Sequence, residues 1–252
     1  MIGKYGKRSP RLIAIAAIGV SMAFGAAVAG TAAGQASKPA ARAIVWRFNR
    51  TDRIGGNKTE VLGNPRVIET PDGKAVQFNG VDDALIIPRH PLAGASTYTW
   101  EVIFRPDGGP FAQRFFHLQE VDPATGKDTG NRMLFEVRVM NGKWCLDSFA
   151  SSGENNRTLL NCKLLHPLGK WYAVTAVYDG KELRNYVDGQ LQGEGSLKLK
   201  PQLPGHASVG MRINHVFFFK GAILMARMTP RALPPSEFLK VPPKLNKAGA
   251  PL

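Results

Sequence analysis

The chain has 252 residues, with 33 Lys and Arg against 19 Asp and Glu, for a formal net charge of +14. Its 44% hydrophobic and 21% charged content is that of a folded chain, which excludes a disordered polyelectrolyte. A basic excess of this size attracts anionic polysaccharide, lipid surfaces or nucleic acid, but the basic residues are scattered and accompany no nucleic-acid motif.

Lys4, Lys7, Arg8 and Arg11 form a basic head, residues 12–29 are small and apolar, and residues 31–36 are small and polar. This is the layout of a secretory signal over residues 1–36, cleaved after Ala29 or after Ala36. The alternative is an uncleaved N-terminal anchor, because about 18 apolar residues sit at the lower limit for a membrane span. That segment is the one expected route to a membrane. Export to the periplasm, cell surface or medium follows from either reading.

From residue 43 onward nearly every stretch alternates with period two and is broken by Gly, Pro, Asn or Asp. "AIVWRFN" (43–49) opens a single domain expected over residues 44–240. Strands follow in "VLGNPRVIETPDGKAVQFNG" (61–80), "DALIIP" (83–88), "TYTWEVIFRP" (97–106), "RFFHLQEV" (114–121) and "RMLFEVRVM" (132–140). "KWCLDSFA" (143–150) and "RTLLNCKL" (157–164) flank "SSGENN", so a turn centred on Gly153–Glu154 sets Cys145 opposite Cys162. In an exported chain that register predicts a cross-strand disulfide. In "VYDGKELRNYVDGQLQ" (177–192) two Asp-Gly turns separate three strands, 171–178, 183–187 and 190–193, and both fit type I′ hairpins. "ASVGMRI" (207–213) and "VFFFKGAILMARMTPRAL" (216–233) close the pattern. "PPSEFLK" (234–240) has a short helical look with Ser236 as N-cap, and 241–252 reads as a disordered Pro- and Lys-rich tail. About a dozen strands with no amphipathic helix predict an all-β sandwich or barrel.

Four stretches carry a resemblance. "AVQFNGVDDALIIPRHP", "YTWEVIFRP", "GKWYAVTAVYDGKELRNYVDGQLQGEG" and "ASVGMRINHVFFFKGAILMARMTPRALPPSEF" are similar to the signature segments of laminin G-like domains. The resemblance runs from about residue 44 to 239 and implies a concanavalin A-like jelly-roll β-sandwich of two antiparallel sheets. That fold serves lectins, adhesion modules, glycosidases and lyases, so function must be argued from a site. Members of this class often hold a structural calcium at the early hairpin, which carries over to Asp82 and Asp83 as ligands; the alternative is that the two are ordinary turn-capping aspartates.

The glucanase signature of paired glutamates is not met: Glu120-Val-Asp122 lacks the second Glu and runs into proline, leaving loop carboxylates facing solvent. Alternation sets Glu101 and Arg105 on one face of their strand, His117 and Gln119 on one face of theirs, and Glu136 and Arg138 on another. If the three strands are neighbours, these six form a concave polar surface for a ligand. Read as a binding face, it suits a glycan or an extracellular protein. Read as an active site, His117, Gln119, Glu136 and Arg138 are the candidates for a polysaccharide lyase or hydrolase. Trp100 and Trp171 fall in phase with core residues, while Trp144, Tyr98 and one of Phe217, Phe218 and Phe219 are the candidates for exposed stacking platforms.

Overall fold

The structure, a computed structural model, describes residues 42–247. The expected signal, residues 1–36, lies outside them. The first strands are β1 (Ile44–Arg47), β2 (Arg53–Ile54), β3 (Asn57–Lys58), β4 (Glu60–Leu62), β5 (Arg66–Thr70), β6 (Gly73–Asn79) and β7 (Ala84–Ile87). The long middle strands are β8 (Tyr98–Pro106), β9 (Ala112–Val121), β10 (Asp128–Met140), β11 (Lys143–Ser152) and β12 (Asn155–Leu160). Then come β13 (His166–Pro167), β14 (Tyr172–Tyr178), β15 (Glu182–Val187), β16 (Gln190–Ser196), β17 (Gly205–Val209) and β18 (Lys220–Thr229).

Sheet I runs β16-β15-β14-β8-β18-β6-β5, with β1 also paired to β18. Sheet II runs β12-β11-β10-β9-β17-β7-β4, with β13 on β11. Every pairing is antiparallel, and the two sheets pack as a jelly-roll sandwich, as the alternation predicts. On β8 the even-numbered Trp100, Val102 and Phe104 point between the sheets. They meet Phe115, Phe116 and Phe135 of sheet II, with ring centroids 4.3 Å apart for Trp100–Phe135 and 4.4 Å for Phe104–Phe115. Rings of this size at these offsets bury large apolar areas and fix the distance between the sheets.

Strand β9 breaks its own alternation. Phe135 of β10 pairs with Phe116, yet the next residue, Glu136, pairs with Arg114. Phe115 is therefore a bulged extra residue, and both Phe115 and Phe116 are fully buried. Its carbonyl accepts the Gly210 N–H at 3.0 Å. The bulge reverses the phase of the strand, so that Arg114 faces outward like His117 and Gln119.

The meander β14-β15-β16 forms as expected. Asp188 and Gly189 both take positive φ, the type I′ pattern, whereas at Asp179-Gly180 positive φ is confined to the glycine. There the Asp179 Oδ1 instead accepts the N–H groups of Lys181 and Glu182. Among the described residues there is no α-helix. Pro235–Glu237 is a single 3-10 turn capped by Pro234 with no side-chain cap bond, so Ser236 is not the N-cap. Trp144 and Tyr98 are buried, which corrects their candidacy as platforms; Trp171 is buried on the outer side of sheet I, with Ile103 and Leu245. Of the stretch expected as a loose tail, 241–247 packs on sheet I: Leu245 is buried and the Asn246 amide brackets the Trp171 backbone at 2.9 and 2.8 Å.

Cys145 and Cys162 are bonded, with Cα atoms 5.2 Å apart, at the foot of the β11–β12 hairpin whose register is the one predicted. Denatured, unreduced protein should show no titratable thiol. Reduction should cost roughly 3 kcal/mol, a fall of about 6–12 °C in Tm for a domain of this size. Two free thiols, or an unchanged Tm after reduction, would contradict the pairing.

Candidate functional site

The six residues expected on one face divide between the two sheets. Strand β8 lies between β14 and β18, so Glu101 and Arg105 belong to sheet I, while His117, Gln119, Glu136 and Arg138 belong to sheet II. Alternation reports the face of a strand but not its neighbours, which is why the single-face expectation fails. Glu101 is fully buried, accepts two bonds from Arg227 at 2.5 and 2.9 Å, and takes the Leu239 N–H at 2.6 Å. Arg105 forks onto Asp107 at 2.8 and 2.9 Å and lies over Trp171. Glu101 fastens the C-terminal segment to sheet I, Arg105 braces the end of β8, and neither lines the groove on the outer face of sheet II.

The outer face of sheet II carries the site. A groove of about 170 Å³ is lined by Arg114, Arg132, Arg138 and Arg212 together with Glu136 and Asp147. Strand β10 supplies Arg132, Leu134, Glu136 and Arg138 by alternation, and β11 supplies Asp147 directly opposite Glu136. Loop 210–219 forms one wall and carries Arg212. It is tied to β9 by Ile213 N–H to His117 Nδ1 (3.0 Å) and Arg114 N–H to the Phe217 carbonyl (2.8 Å). Glu136 sits 3.0 Å from Arg114 and 2.9 Å from Arg138, and Asp147 lies 2.5 Å from Arg138. Burial, reinforced by the neighbouring Glu136 charge, pushes the Asp147 carboxyl up to about 6. Burial likewise lowers Arg114 and, with the nearby Arg212 charge, Arg132.

Three phenylalanines border this groove. Arg114 stacks 3.8 Å from the Phe217 centroid, Arg132 4.8 Å from Phe149, and Arg138 5.9 Å from Phe111. Phe111 is 57% exposed and Phe217 43%, large values for aromatic rings. Of the three phenylalanines at 217–219, Phe217 is the exposed one.

His117 is fully covered, and burial with the charges of Arg132 and Arg212 drives its pKa down to about 3. Its Nδ1 accepts from Ile213, so the proton resides on Nε2, which has no partner among the described residues. Gln119 donates its amide to the carbonyls of Glu120, Thr129 and Asn131 and so holds the turn between β9 and β10. Glu120, expected at the surface, is buried and accepts from Thr129, Asn131 and Leu203. These are structural duties, and a covered neutral imidazole is poorly placed to take a proton from a polymer.

Asp82 and Asp83 do meet at the β6–β7 turn, but their oxygens are engaged. Asp83 accepts the N–H groups of Asn64 (2.7 Å) and Asn79 (2.9 Å), and Asp82 accepts from the Asn79 amide at 2.7 Å. The adjoining cleft also contains Arg66 and Lys220. Calcium asks for six to eight oxygens, and this donor set is a turn lock that fits the ion poorly.

Replacing Asp83 with Ala should therefore cost about 1–3 kcal/mol by removing the acceptor of two part-buried amides, read by denaturant unfolding. Chelator should leave the wild-type Tm unmoved; a calcium-dependent rise would restore an ion to the turn. A second test concerns pH. The native pKa of His117 lies below its unfolded value near 6.5, so the unfolded chain binds more protons between the two. Stability is then lost as pH falls from about 6.5 towards 3, by up to about 1.4 kcal/mol per unit. His117→Gln keeps an acceptor for Ile213, and its Tm should fall less steeply than that of wild type between pH 7 and 4. Parallel slopes would contradict the assignment.

Residues 79–238 match a laminin G-like family model described as the concanavalin A-like lectin/glucanases superfamily. No curated protein matches the chain. Among solved structures, domain 4 of AbnA, an extracellular arabinanase of Geobacillus stearothermophilus, in complex with arabinotriose, aligns with TM-score 0.57 and 18% identity. The match covers 79% of this chain and 97% of that domain. The binding domain of botulinum neurotoxin serotype D aligns at TM-score 0.54 and 12% identity, over 77% of this chain and 48% of that one. NanB sialidase of Streptococcus pneumoniae aligns at 0.53 and 16%, over 73% of this chain and 28% of its own. At these identities the likeness is one of fold. With well over half its length matched by the family model, the chain belongs to the laminin G-like family of the concanavalin A-like lectin/glucanases superfamily.

Proposed function

We propose that the chain is an exported carbohydrate-binding module that seats a glycan along the outer face of sheet II. The observation that carries this reading is the ring of Phe111, Phe149 and Phe217 around one polar groove, two of them well exposed. Sugar faces stack on such rings while their hydroxyls bond to the charged side chains between them. The fold likeness to an arabinanase domain solved with arabinotriose supports it. The Cys145–Cys162 disulfide and the signal-like head support export. The covered His117 and the engaged Gln119 favour binding over lyase chemistry.

Affinity electrophoresis through gels containing arabinan, xylan, polygalacturonate or chondroitin sulfate tests this. At least one polysaccharide should retard the protein. Phe111→Ala and Phe217→Ala should each weaken that retention by about 0.5–1.5 kcal/mol, roughly two- to twelvefold. Retardation by none of the four, or retention indifferent to both substitutions, would overturn the reading.

A further inference from the structure

The charges of the groove are divided unevenly along its length. At one end Glu136 and Asp147 are shared by Arg114 and Arg138. At the other, Arg132 and Arg212 have no carboxylate within ion-pairing distance among the described residues. Arg132 has a carbonyl partner, Gly130 at 3.0 Å, and rests on Phe149. Its Nε is buried without an acceptor, as are Nε and Nη1 of Arg114 and Nη1 of Arg138. Two guanidinium groups lining one groove repel each other, and buried cationic donors without acceptors are costly. The fold nonetheless holds Arg212 there through the bonds that tie loop 210–219 to β9: Gly210 N–H to Phe115, Ile213 N–H to His117, and Arg114 N–H to Phe217.

A pair of planar forks without a carboxylate partner among the described residues, each able to grip two oxygens, is the arrangement that recognises an oxyanion. Resting on the proposed glycan reading, we propose that Arg132 and Arg212 form a subsite for the carboxylate or sulfate ester of an acidic polysaccharide. The neutralised end, with Glu136 and Asp147 as acceptors, then meets sugar hydroxyls. The Cα atoms of Arg132 and Arg138 are six residues apart on one strand, so the two ends of the groove are about 20 Å apart.

Titration calorimetry on the purified protein at about 0.15 M salt, where diffuse attraction is largely screened, separates this subsite from general basicity. The probes are polygalacturonate for carboxylate, chondroitin sulfate for sulfate, and arabinan as the neutral polymer. One or both acidic polymers should bind at least tenfold more tightly than arabinan, and the tighter of the two identifies the oxyanion. The double variant Arg132→Gln/Arg212→Gln should lose about tenfold or more of that acidic binding, and its loss of arabinan binding should be severalfold smaller. Lys240→Gln/Lys244→Gln removes the same charge from the segment over sheet I and should change acidic binding less than twofold. Relief of like-charge repulsion should leave the Tm of the arginine variant equal or higher. Should the double variant fail to fold, Arg212→Gln alone, on the loop, gives the same reading with a smaller loss.

Equal affinity for arabinan and both acidic polymers would overturn the oxyanion subsite and leave glycan binding standing. Equal losses from the arginine and lysine variants would overturn it too, by reducing the effect to net charge. Binding of none of the three polymers, together with no retardation by xylan, would remove the glycan reading and this inference with it.

Discussion

One inserted residue sets the character of the whole outer face of sheet II. Strict alternation along β9 places Arg114 on the same side as Phe116 and Leu118, inside the sandwich, where an unpaired guanidinium would be prohibitive. The bulge at Phe115 lets two consecutive phenylalanines enter the core and turns Arg114 outward against Glu136. It also directs the Phe115 carbonyl to Gly210, where loop 210–219 begins. Core packing and groove construction are therefore the same event. The aromatic contacts that hold the sheets together, Phe104–Phe115 and Phe115–Phe135, depend on it as much as the arginine cluster does.

The two outer faces meet different fates. Sheet I exposes an apolar outer stripe, Ile103, Ala173, Ala222 and Leu224, which the C-terminal segment covers with Leu239, Val241 and Leu245. Glu101, paired to Arg227 and bonded to the Leu239 N–H, is the polar clasp of that cover. Its buried ion pair is compensated on both oxygens, as a charge so deep must be. Sheet II has polar groups at the corresponding positions, so no apolar stripe calls for a cover and the groove stays open.

The sandwich was legible because each of its determinants is local. Period-two runs, glycine turns and two cysteines in register specify strands, hairpins and the disulfide without reference to distant residues. Glu136 and Arg138 were legible for the same reason, and Arg132 shares their phase in "RMLFEVRVM". Asp147 also alternates with core neighbours Trp144 and Leu146, and the predicted β11 register offered the signal that would have found it. What alternation lacked was the identity of neighbouring strands. Glu101 and Arg105 were assigned to the wrong partners because the 107–111 connection crosses between sheets. Arg114 was hidden by the bulge and Arg212 by a loop whose course is fixed by tertiary bonds to β9, the same bonds that decide which of Phe217, Phe218 and Phe219 is exposed. The acidic turn at Asp82 and Asp83 drew attention as a metal site. Asp83 accepts two backbone amides and Asp82 the Asn79 side-chain amide, a use that composition does not separate from calcium ligation.

The central claim is that ligand recognition belongs to the outer groove of sheet II and that aromatic rings and arginines share the task. A crystal structure of the protein with an oligosaccharide of whichever acidic polymer binds more tightly addresses it most directly. Sugar rings should lie against Phe111 or Phe217, with the carboxylate or sulfate bridging Arg132 and Arg212. Density for the oligosaccharide in the cleft beside Asn64 and Lys220, or over the C-terminal segment on sheet I, would contradict it.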